Sequence, residues 1–228
     1  MRKLIQVAID SPAAAGAGTQ AKLLAKHYNL FYLDTGKIYR FIGSLKIKNP
    51  NRFNYSLVKK EIKKLKIKKL HSKKLLSNKL AFEASIVAKD KKIRKIVYNF
   101  QIKCAYKPPK KFSGSILDGR DITSVIMKDA VFKFFITASI KTRALRRYKE
   151  LKSLKKDISY KEVLKSIKIR DKSDFNRKIS PLKKTRDSIL INTSNLTKRA
   201  CFLKIKQIMD KKLILMEIYK DLSNPASK

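Results

Sequence analysis

The chain has 228 residues, of which 57 are lysine or arginine and 17 are aspartate or glutamate, giving a formal net charge of +40. Its 43% of hydrophobic residues suffice for a core, and its six glycines and six prolines are too few for a long disordered linker. So strong a positive charge suits a nucleic-acid-binding protein. The lysines, however, are scattered over nearly every predicted helix, which favours solvated positions and predicts no specific nucleic acid partner.

The cysteines and histidines exclude other classes of protein. Cys104 and Cys201 lie in apolar, helical contexts without the spacing of metal ligands, so we expect reduced, buried thiols. His27 and His71 form no ligand cluster. No stretch resembles a signal peptide or an apolar run of about 18 residues, which predicts a cytoplasmic chain without a membrane partner. We expect a monomer.

The first distinctive stretch is residues 4–22, LIQVAIDSPAAAGAGTQAK. An apolar run predicts a buried strand at 4–10, and helical spacing begins at Thr19. Between them lie small residues, whose backbone N–H groups can curl around a phosphate at the positive end of a helix. The hydroxyl of Thr19 would then be a candidate ligand of Mg²⁺.

This loop departs from the phosphate-loop pattern G-x-x-x-x-G-K-[ST]. Ser11 stands at the first glycine, and Ala17 stands at the lysine. The motif therefore leaves two interpretations open, a phosphate loop or an ordinary turn from strand to helix. The candidate ATP-binding residues are Ser11, Pro12, Ala13, Ala14, Ala15, Gly16, Ala17, Gly18 and Thr19.

Further strand candidates follow at 30–33, 115–118, 131–137 and 188–192, and helical segments alternate with them. This alternation predicts an α/β fold with a five-stranded parallel sheet flanked by helices, and a ligand beyond the carboxyl ends of the strands. The lysine-dense residues 51–79 fit either a helical stripe or the alternation of a strand at Leu65 and Ile67, and the sequence leaves both possibilities open.

Several motifs directly follow strand candidates or lie near the C-terminal end of the chain. YLDTGKIYR spans 32–40, and DGRD spans 118–121. The spacing R-x-x-R-R at 143–147 places arginines on one helix face. A capping box at 159–162 opens a helix that ends in IRDKSDFNR, at 169–177.

In this order the motifs resemble those of bacterial cytidylate kinases, which belong to the nucleoside monophosphate kinases. That family carries LD[ST]GAxYR after its phosphate loop, then DGRD, then RDxxDxxR in a mobile lid. It also has a serine and an arginine nine residues apart, as at Ser85 and Arg94. The resemblance implies that Asp121 reads the cytosine amino group, because an ionised carboxylate only accepts hydrogen bonds. The implied CMP-binding residues are Thr35, Arg40, Ser85, Arg94, Arg120, Asp121, Arg170, Asp174 and Arg177.

The resemblance further implies transfer of a phosphoryl group from ATP, with Mg²⁺, to CMP or dCMP. It implies one P-loop kinase domain over 1–228, with a shortened monophosphate-binding insert of small strands at 48–106 and a lid at 152–183. Such a reaction needs cations around the phosphates. The candidate catalytic residues are Arg143, Arg146, Arg147 and Lys37.

Lys37 is a candidate because it stands where the family has a small residue, in a chain whose loop lysine is Ala17. The same alanine motivates an alternative, a catalytically impaired nucleotide-binding relic of the family. A basic nucleic-acid-binding protein is a second alternative, which the sequence supports only through its charge.

Overall fold

The computed structural model describes residues 4–154 and 157–222 and contains a five-stranded sheet in the order β2-β3-β1-β4-β5, with every pairing parallel. The strands are β1 (Ile5–Asp10), β2 (Leu30–Asp34), β3 (Gly114–Gly119), β4 (Phe132–Thr137) and β5 (Ile189–Asn192). Each begins and ends within about two residues of its predicted bounds. The predicted α/β fold is therefore confirmed.

Helices cover both faces of this sheet. They are α1 (Ala17–His27), α2 (Thr35–Lys48), α3 (Tyr55–Lys63), α4 (Ile67–Leu70), α5 (Asn78–Val87), α6 (Lys91–Tyr106), α7 (Ile140–Ser153), α8 (Tyr160–Asn176) and α9 (Lys198–Leu222). Because successive strand residues point to opposite faces, the sheet contributes to two cores. Ala8 and Leu117 pack with α2 and α6, whereas Val7 and Ile116 pack with α1 and α9.

The lysine-rich segment is helical, which excludes the strand alternative at Leu65 and Ile67. Val58 and Ile62, one turn apart on α3, are buried while the lysines around them face solvent. Leu65 is buried in the turn after α3, and Ile67 begins α4. The expected small strands are also absent from residues 48–106, all of which are described, because their apolar side chains recur at helical spacing.

The segments after β4 place two long helices over one edge of the sheet. The predicted capping box is present, since Ser159 accepts a hydrogen bond from the N–H of Glu162, whose carboxylate accepts one from Ser159. Helices α7 and α8 pack through Ala144, Leu151 and Val163. Residues 155 and 156 of the predicted lid lie outside the described residues.

The C-terminal helix begins at Lys198. Thr197 sets this start, because its hydroxyl accepts a hydrogen bond from the N–H of Ala200. No helix within the described ranges is both long enough and apolar enough to cross a membrane.

Candidate active site

The candidate site lies beyond the carboxyl ends of β1, β2 and β3. A cavity of about 1390 Å³ opens there, lined by the loop 11–19, by the first turns of α2, and by side chains of α5, α7 and α8. A second cavity of about 40 Å³ adjoins it, and Ser85, Arg120 and Arg170 line both. Every predicted site residue except Arg143 lines one of the two cavities.

The loop between β1 and α1 has the backbone geometry of an anion cradle. Ala14 has φ +59° and Gly16 has φ +94°, so the chain turns twice through the left-handed region. Such turns direct successive N–H groups into a concavity. Helix α1 has no side-chain cap and no acidic residue in its first turn. Its N-terminal N–H groups and dipole are therefore directed at the cavity, as a phosphate site requires.

The left-handed backbone at Ala14 leads to a stability prediction. An L-residue in this region costs about 1–2 kcal/mol, part of which glycine recovers because it lacks Cβ. We expect Ala14→Gly to raise the free energy of unfolding by about 0.5–1 kcal/mol in urea titrations. Ala13→Gly is the control and should lower the free energy of unfolding, because Ala13 does not have a positive φ. A lower stability for Ala14→Gly would contradict the prediction.

Two predicted catalytic arginines bind the backbone of this loop. Arg143 is buried, donates to the carbonyls of Ala13 and Ala138 at 3.1 and 2.9 Å, and pairs with Asp171 at 2.6 Å. Arg146 donates to the carbonyl of Ala15 at 3.4 Å, and to the hydroxyl and the carbonyl of Thr193 at 2.9 and 2.6 Å. Arg143 thus links the loop to α8, whereas Arg146 remains on the cavity wall.

Thr193 had no signal in the sequence. Its hydroxyl, just past the end of β5, donates to the carbonyl of Ala15 at 3.0 Å and accepts from Arg146. The pairing of β4 with β5 is what brings Thr193 beside the loop.

A cluster of four guanidinium groups lines the cavity, from Arg40, Arg120, Arg147 and Arg170. Burial and the charge of Arg120 lower the pKa of Arg170 to about 9. Burial also lowers the pKa of Arg40, and the charges of Arg147 and Arg120 lower it further. Arg120 has a close carboxylate, Asp174 at 2.8 Å, whereas Arg170 lies 3.9 Å from the same group. The cluster thus holds an excess of positive charge that an anion would offset.

The smaller cavity has a carboxylate among cations. Asp121, 3% exposed, forms an ion pair with Arg94 and lies 3.8 Å from Arg177. Burial by itself would lower the pKa of Arg94, but the interactions with Tyr39 and Asp121 outweigh burial, so the pKa of Arg94 is raised. Burial and Arg94 lower the pKa of Arg177. Arg94 also lies 5.6 Å from the ring centre of Tyr39, which the sequence did not single out although it belongs to the YR motif.

Two hydroxyl residues complete the wall of the smaller cavity. Thr35, the first residue of α2, is buried and donates its hydroxyl to the carbonyl of Asp118 at 2.8 Å. Ser85 donates its hydroxyl to the carbonyl of Phe82 at 2.7 Å. Both hydroxyl oxygens keep an acceptor lone pair, because these bonds use only their protons.

An acidic pair lies where β2 and β3 end. Asp34 and Asp118 occupy paired positions in the sheet, and burial together with Asp34 raises the pKa of Asp118 to about 8. One oxygen of Asp118, Oδ1, has no hydrogen-bond partner among the described residues. The other, Oδ2, lies 3.4 Å from the position that a Cβ on Gly18 would occupy. Two adjacent carboxylates beside the N-terminus of α1 are oxygen donors of the kind that a hard divalent cation prefers.

The comparisons with known proteins come from sequence and from structure. The sequence model of the family described as Cytidylate kinase matches residues 7–211. Curated cytidylate kinases of Clostridium botulinum (strain Loch Maree / Type A3) and Clostridium tetani are 38% and 37% identical over 91% and 92% of this chain and over 95% and 96% of their own. The chain belongs to the cytidylate kinase family.

The cytidylate kinase of Clostridium perfringens (strain SM101 / Type A) is 35% identical over 92% of this chain and all of its own. A crystal structure of an uncharacterized protein from Eubacterium ventriosum ATCC 27560 is similar in fold, with a TM-score of 0.54, 19% identity, and coverage of 91% of this chain and 99% of that one. The predicted family and the enzyme class, a nucleoside monophosphate kinase, are thereby confirmed. Cytidylate kinase chemistry is phosphoryl transfer from ATP to a small nucleotide, which generally needs a divalent metal ion.

Asp10 was not predicted as a functional residue, but it positions a segment of this kinase site. Its buried carboxylate accepts hydrogen bonds from the N–H of Ile122 at 2.7 Å and from the N–H and hydroxyl of Thr123. It thereby fastens the chain after DGRD to the end of β1. Burial outweighs these bonds and raises the pKa of Asp10 to about 6.

The raised pKa of Asp10 predicts a pH dependence of stability. Between 3.8, its ordinary value, and about 6, the folded state keeps a proton that the unfolded state loses. The stability contributed by Asp10 therefore falls as pH rises through this window. We expect the free energy of unfolding of the wild type, relative to Asp10→Asn, to decrease from pH 4 to pH 7 in denaturant titrations. A difference that does not change with pH would contradict this.

Proposed function

We propose that this chain transfers the γ-phosphoryl group of ATP to CMP or dCMP, giving ADP and CDP or dCDP, with Mg²⁺ as the metal. The observation that carries the proposal is the position of Asp121. This buried carboxylate lies in a small cavity that shares Arg120 and Arg170 with the arginine cluster next door. A group that can read a base thus adjoins groups that bind its phosphate.

Asp121 selects the base by its hydrogen-bonding character. Its carboxylate accepts from the amino group of cytosine, whereas uracil presents a carbonyl that would repel it. Arg94 and Arg177 hold the carboxylate in place through their ion pairs with it, and Ser85 and Thr35 lie at the same wall. Rejection of uracil follows from the unfavourable approach of two acceptors.

The phosphate of the acceptor nucleotide binds the arginine cluster. Arg40, Arg120 and Arg170 present planar guanidinium groups that make paired, charge-assisted bonds to phosphate oxygens. Asp174 orients Arg120 and Arg170 through its ion pairs with them. Bound phosphate then offsets the mutual repulsion of the arginines, so CMP both binds and stabilises the site.

ATP binds by the loop 11–19 and the N-terminus of α1. Arg146 and Arg147 lie on the facing wall and help to neutralise the donor phosphates. The hydroxyl of Thr19 would hold Mg²⁺, with Asp118 and Asp34 as further oxygen donors through water. The ion supplies charge neutralisation of the β- and γ-phosphates. Movement of the predicted lid, 152–183, over the 48–106 insert would exclude water and so prevent hydrolysis of ATP.

A coupled assay of ADP formation with CMP, dCMP, UMP and AMP tests the proposal. We expect turnover with CMP or dCMP, little with UMP and AMP, and loss of turnover when EDTA removes the metal. Equal rates with UMP would contradict the assignment of the base. Binding of CMP without any transfer would support the alternative suggested by Ala17, a nucleotide-binding relic of the family.

The remaining predictions concern the setting of the enzyme. A monomer, a cytoplasmic location and the absence of a specific nucleic acid partner stay predictions. Exposed lysines on nearly every helix, together with a net charge of +40, support a diffuse field that attracts phosphorylated substrates.

A further inference from the structure

We propose that Lys37 supplies the positive charge that the phosphate loop lacks at Ala17. This inference rests on the proposed function, because it concerns the donor phosphates of the same reaction. Ala17 is the first residue of α1 and is 4% exposed, so its methyl group packs into the core. The loop therefore cradles phosphate with backbone N–H groups alone, whereas the usual pattern adds a lysine on the β- and γ-phosphates.

The fold brings the first turn of α2 to the same edge of the sheet as the loop. Asp34 ends β2 and caps α2 by accepting the N–H of Lys37. Its sheet neighbour Asp118 lies against Gly18, as does the hydroxyl of Tyr32, each 3.4 Å from the position of a Cβ there. The ends of β2 and β3 thus contact the start of α1. Lys37 lies three residues after the end of β2, in the first turn of α2, and lines the same cavity.

Burial distinguishes Lys37 from the other lysines of the cavity. Six lysines of the described ranges line the cavity, and Lys37 is the only one among them that is half-buried. The other five are exposed: Lys22, Lys89, Lys149, Lys165 and Lys198. The ammonium of Lys37 makes no hydrogen bond or ion pair with the residues that the structure describes. It is therefore a partly desolvated cation, available to an anion that enters the cavity.

Three arginines on the same wall already have partners. Arg40 donates to the carbonyl of Leu75, Arg120 pairs with Asp174, and Arg146 holds Thr193. A lysine, by contrast, is a flexible point charge whose apolar stem can lie along the wall. In the transfer, the bond from the γ-phosphorus to its bridging oxygen breaks, and a bond to an oxygen of the CMP phosphate forms. Lys37 keeps its protons throughout and stabilises the negative charge.

The test uses four variants and two readouts. One variant, Lys22→Ala, removes an exposed lysine of the same cavity. Lys37→Ala removes the charge, Lys37→Ala with Ala17→Lys restores it at the loop, and Lys48→Ala removes an exposed lysine from the far end of the same helix. The readouts are kcat/KM for ATP at saturating CMP, and the dissociation constants of ATP and of CMP by calorimetry. We expect Lys37→Ala to lower kcat/KM for ATP on the order of 10²-fold or more. ATP binding should weaken while CMP binding is kept.

The double variant should regain most of the lost rate and ATP affinity, and Lys48→Ala should behave as the wild type. Unchanged rates and ATP affinity in Lys37→Ala would overturn the inference, as would a loss that Ala17→Lys does not reverse. The same loss appearing in Lys22→Ala instead would also overturn it. If the wild type shows no transfer, the proposed function fails, and the ATP affinities of the same variants still decide the role of Lys37.

Discussion

Replacing Asp121 by alanine should remove most of the preference for cytosine. The variant loses the acceptor for the amino group of the base and leaves Arg94 and Arg177 buried without their shared carboxylate. We expect kcat/KM for CMP to fall. The drop should correspond to a loss of about 2–4 kcal/mol of transition-state stabilisation, the range for a lost buried polar contact with a substrate. Discrimination against UMP should collapse as well, which a general loss of stability would not produce. Steady-state assays with both nucleotides measure the two effects.

Two further variants make this test sharper. Asp121→Asn keeps the shape but offers an amide donor as well as an acceptor, so it should lower activity with CMP and relax the rejection of UMP. Asp187→Ala is the matched control, because Asp187 is an exposed aspartate that pairs with Lys133 and Thr185 at the surface. Wild-type kcat/KM and CMP/UMP selectivity in Asp121→Ala would falsify the assignment of the base reader.

Replacing Arg170 by methionine should have opposite effects on activity and on stability. Arg170 sits among like charges, and its guanidinium Nε has no hydrogen-bond partner among the described residues. Removing it should raise the free energy of unfolding of the ligand-free protein, because the repulsion within the cluster decreases. It should also lower kcat/KM for CMP on the order of 10²–10³-fold, since one charge-assisted contact to phosphate is lost. Thermal melts and kinetics, with and without CMP, measure the two effects.

The control for Arg170→Met is Arg199→Met, because Arg199 is an exposed arginine on α9. It removes the same charge from the total without touching the cluster. The rise in melting temperature on adding CMP should be smaller in Arg170→Met than in the wild type and unchanged in Arg199→Met. A ligand-free Arg170→Met that is less stable than the wild type would show that the packing and ion pairing of Arg170 outweigh its repulsion by the other arginines.

Both predictions depend on motifs that the sequence already exposes. DGRD and RDxxDxxR place Asp121, Arg170 and Asp174 by their order alone. The strands are equally visible in the sequence, because an apolar run closed by Asp10 or Asp118 indicates a buried strand and the edge where it ends. Alternation of such runs with helical spacing was enough to predict the fold class and the edge of the sheet that binds the ligand.

Only the tertiary structure shows which partners the three arginines of α7 bind. The spacing R-x-x-R-R placed Arg143, Arg146 and Arg147 on one helix face, but spacing does not say what lies opposite each of them. The fold puts Ala13 and Asp171 against Arg143, and Thr193 against Arg146. A guanidinium group donates hydrogen bonds to the acceptors that packing places beside it. Arg143 and Arg146 therefore bind the backbone of the loop 11–19.

The sequence by itself determined the fold class, the family and the order of the site motifs, because these follow from local periodicity and from residues fixed in short segments. It did not determine that residues 51–79 are helical, because the many lysines there made the helical spacing of the apolar residues ambiguous. Only the packing of those apolar residues against the core decided it. Nor did the sequence determine the left-handed backbone at Ala14 or the half-buried position of Lys37 among the described lysines of the cavity. Burial and charge environment depend on partners distant in the chain, and only the packed structure brings those partners together.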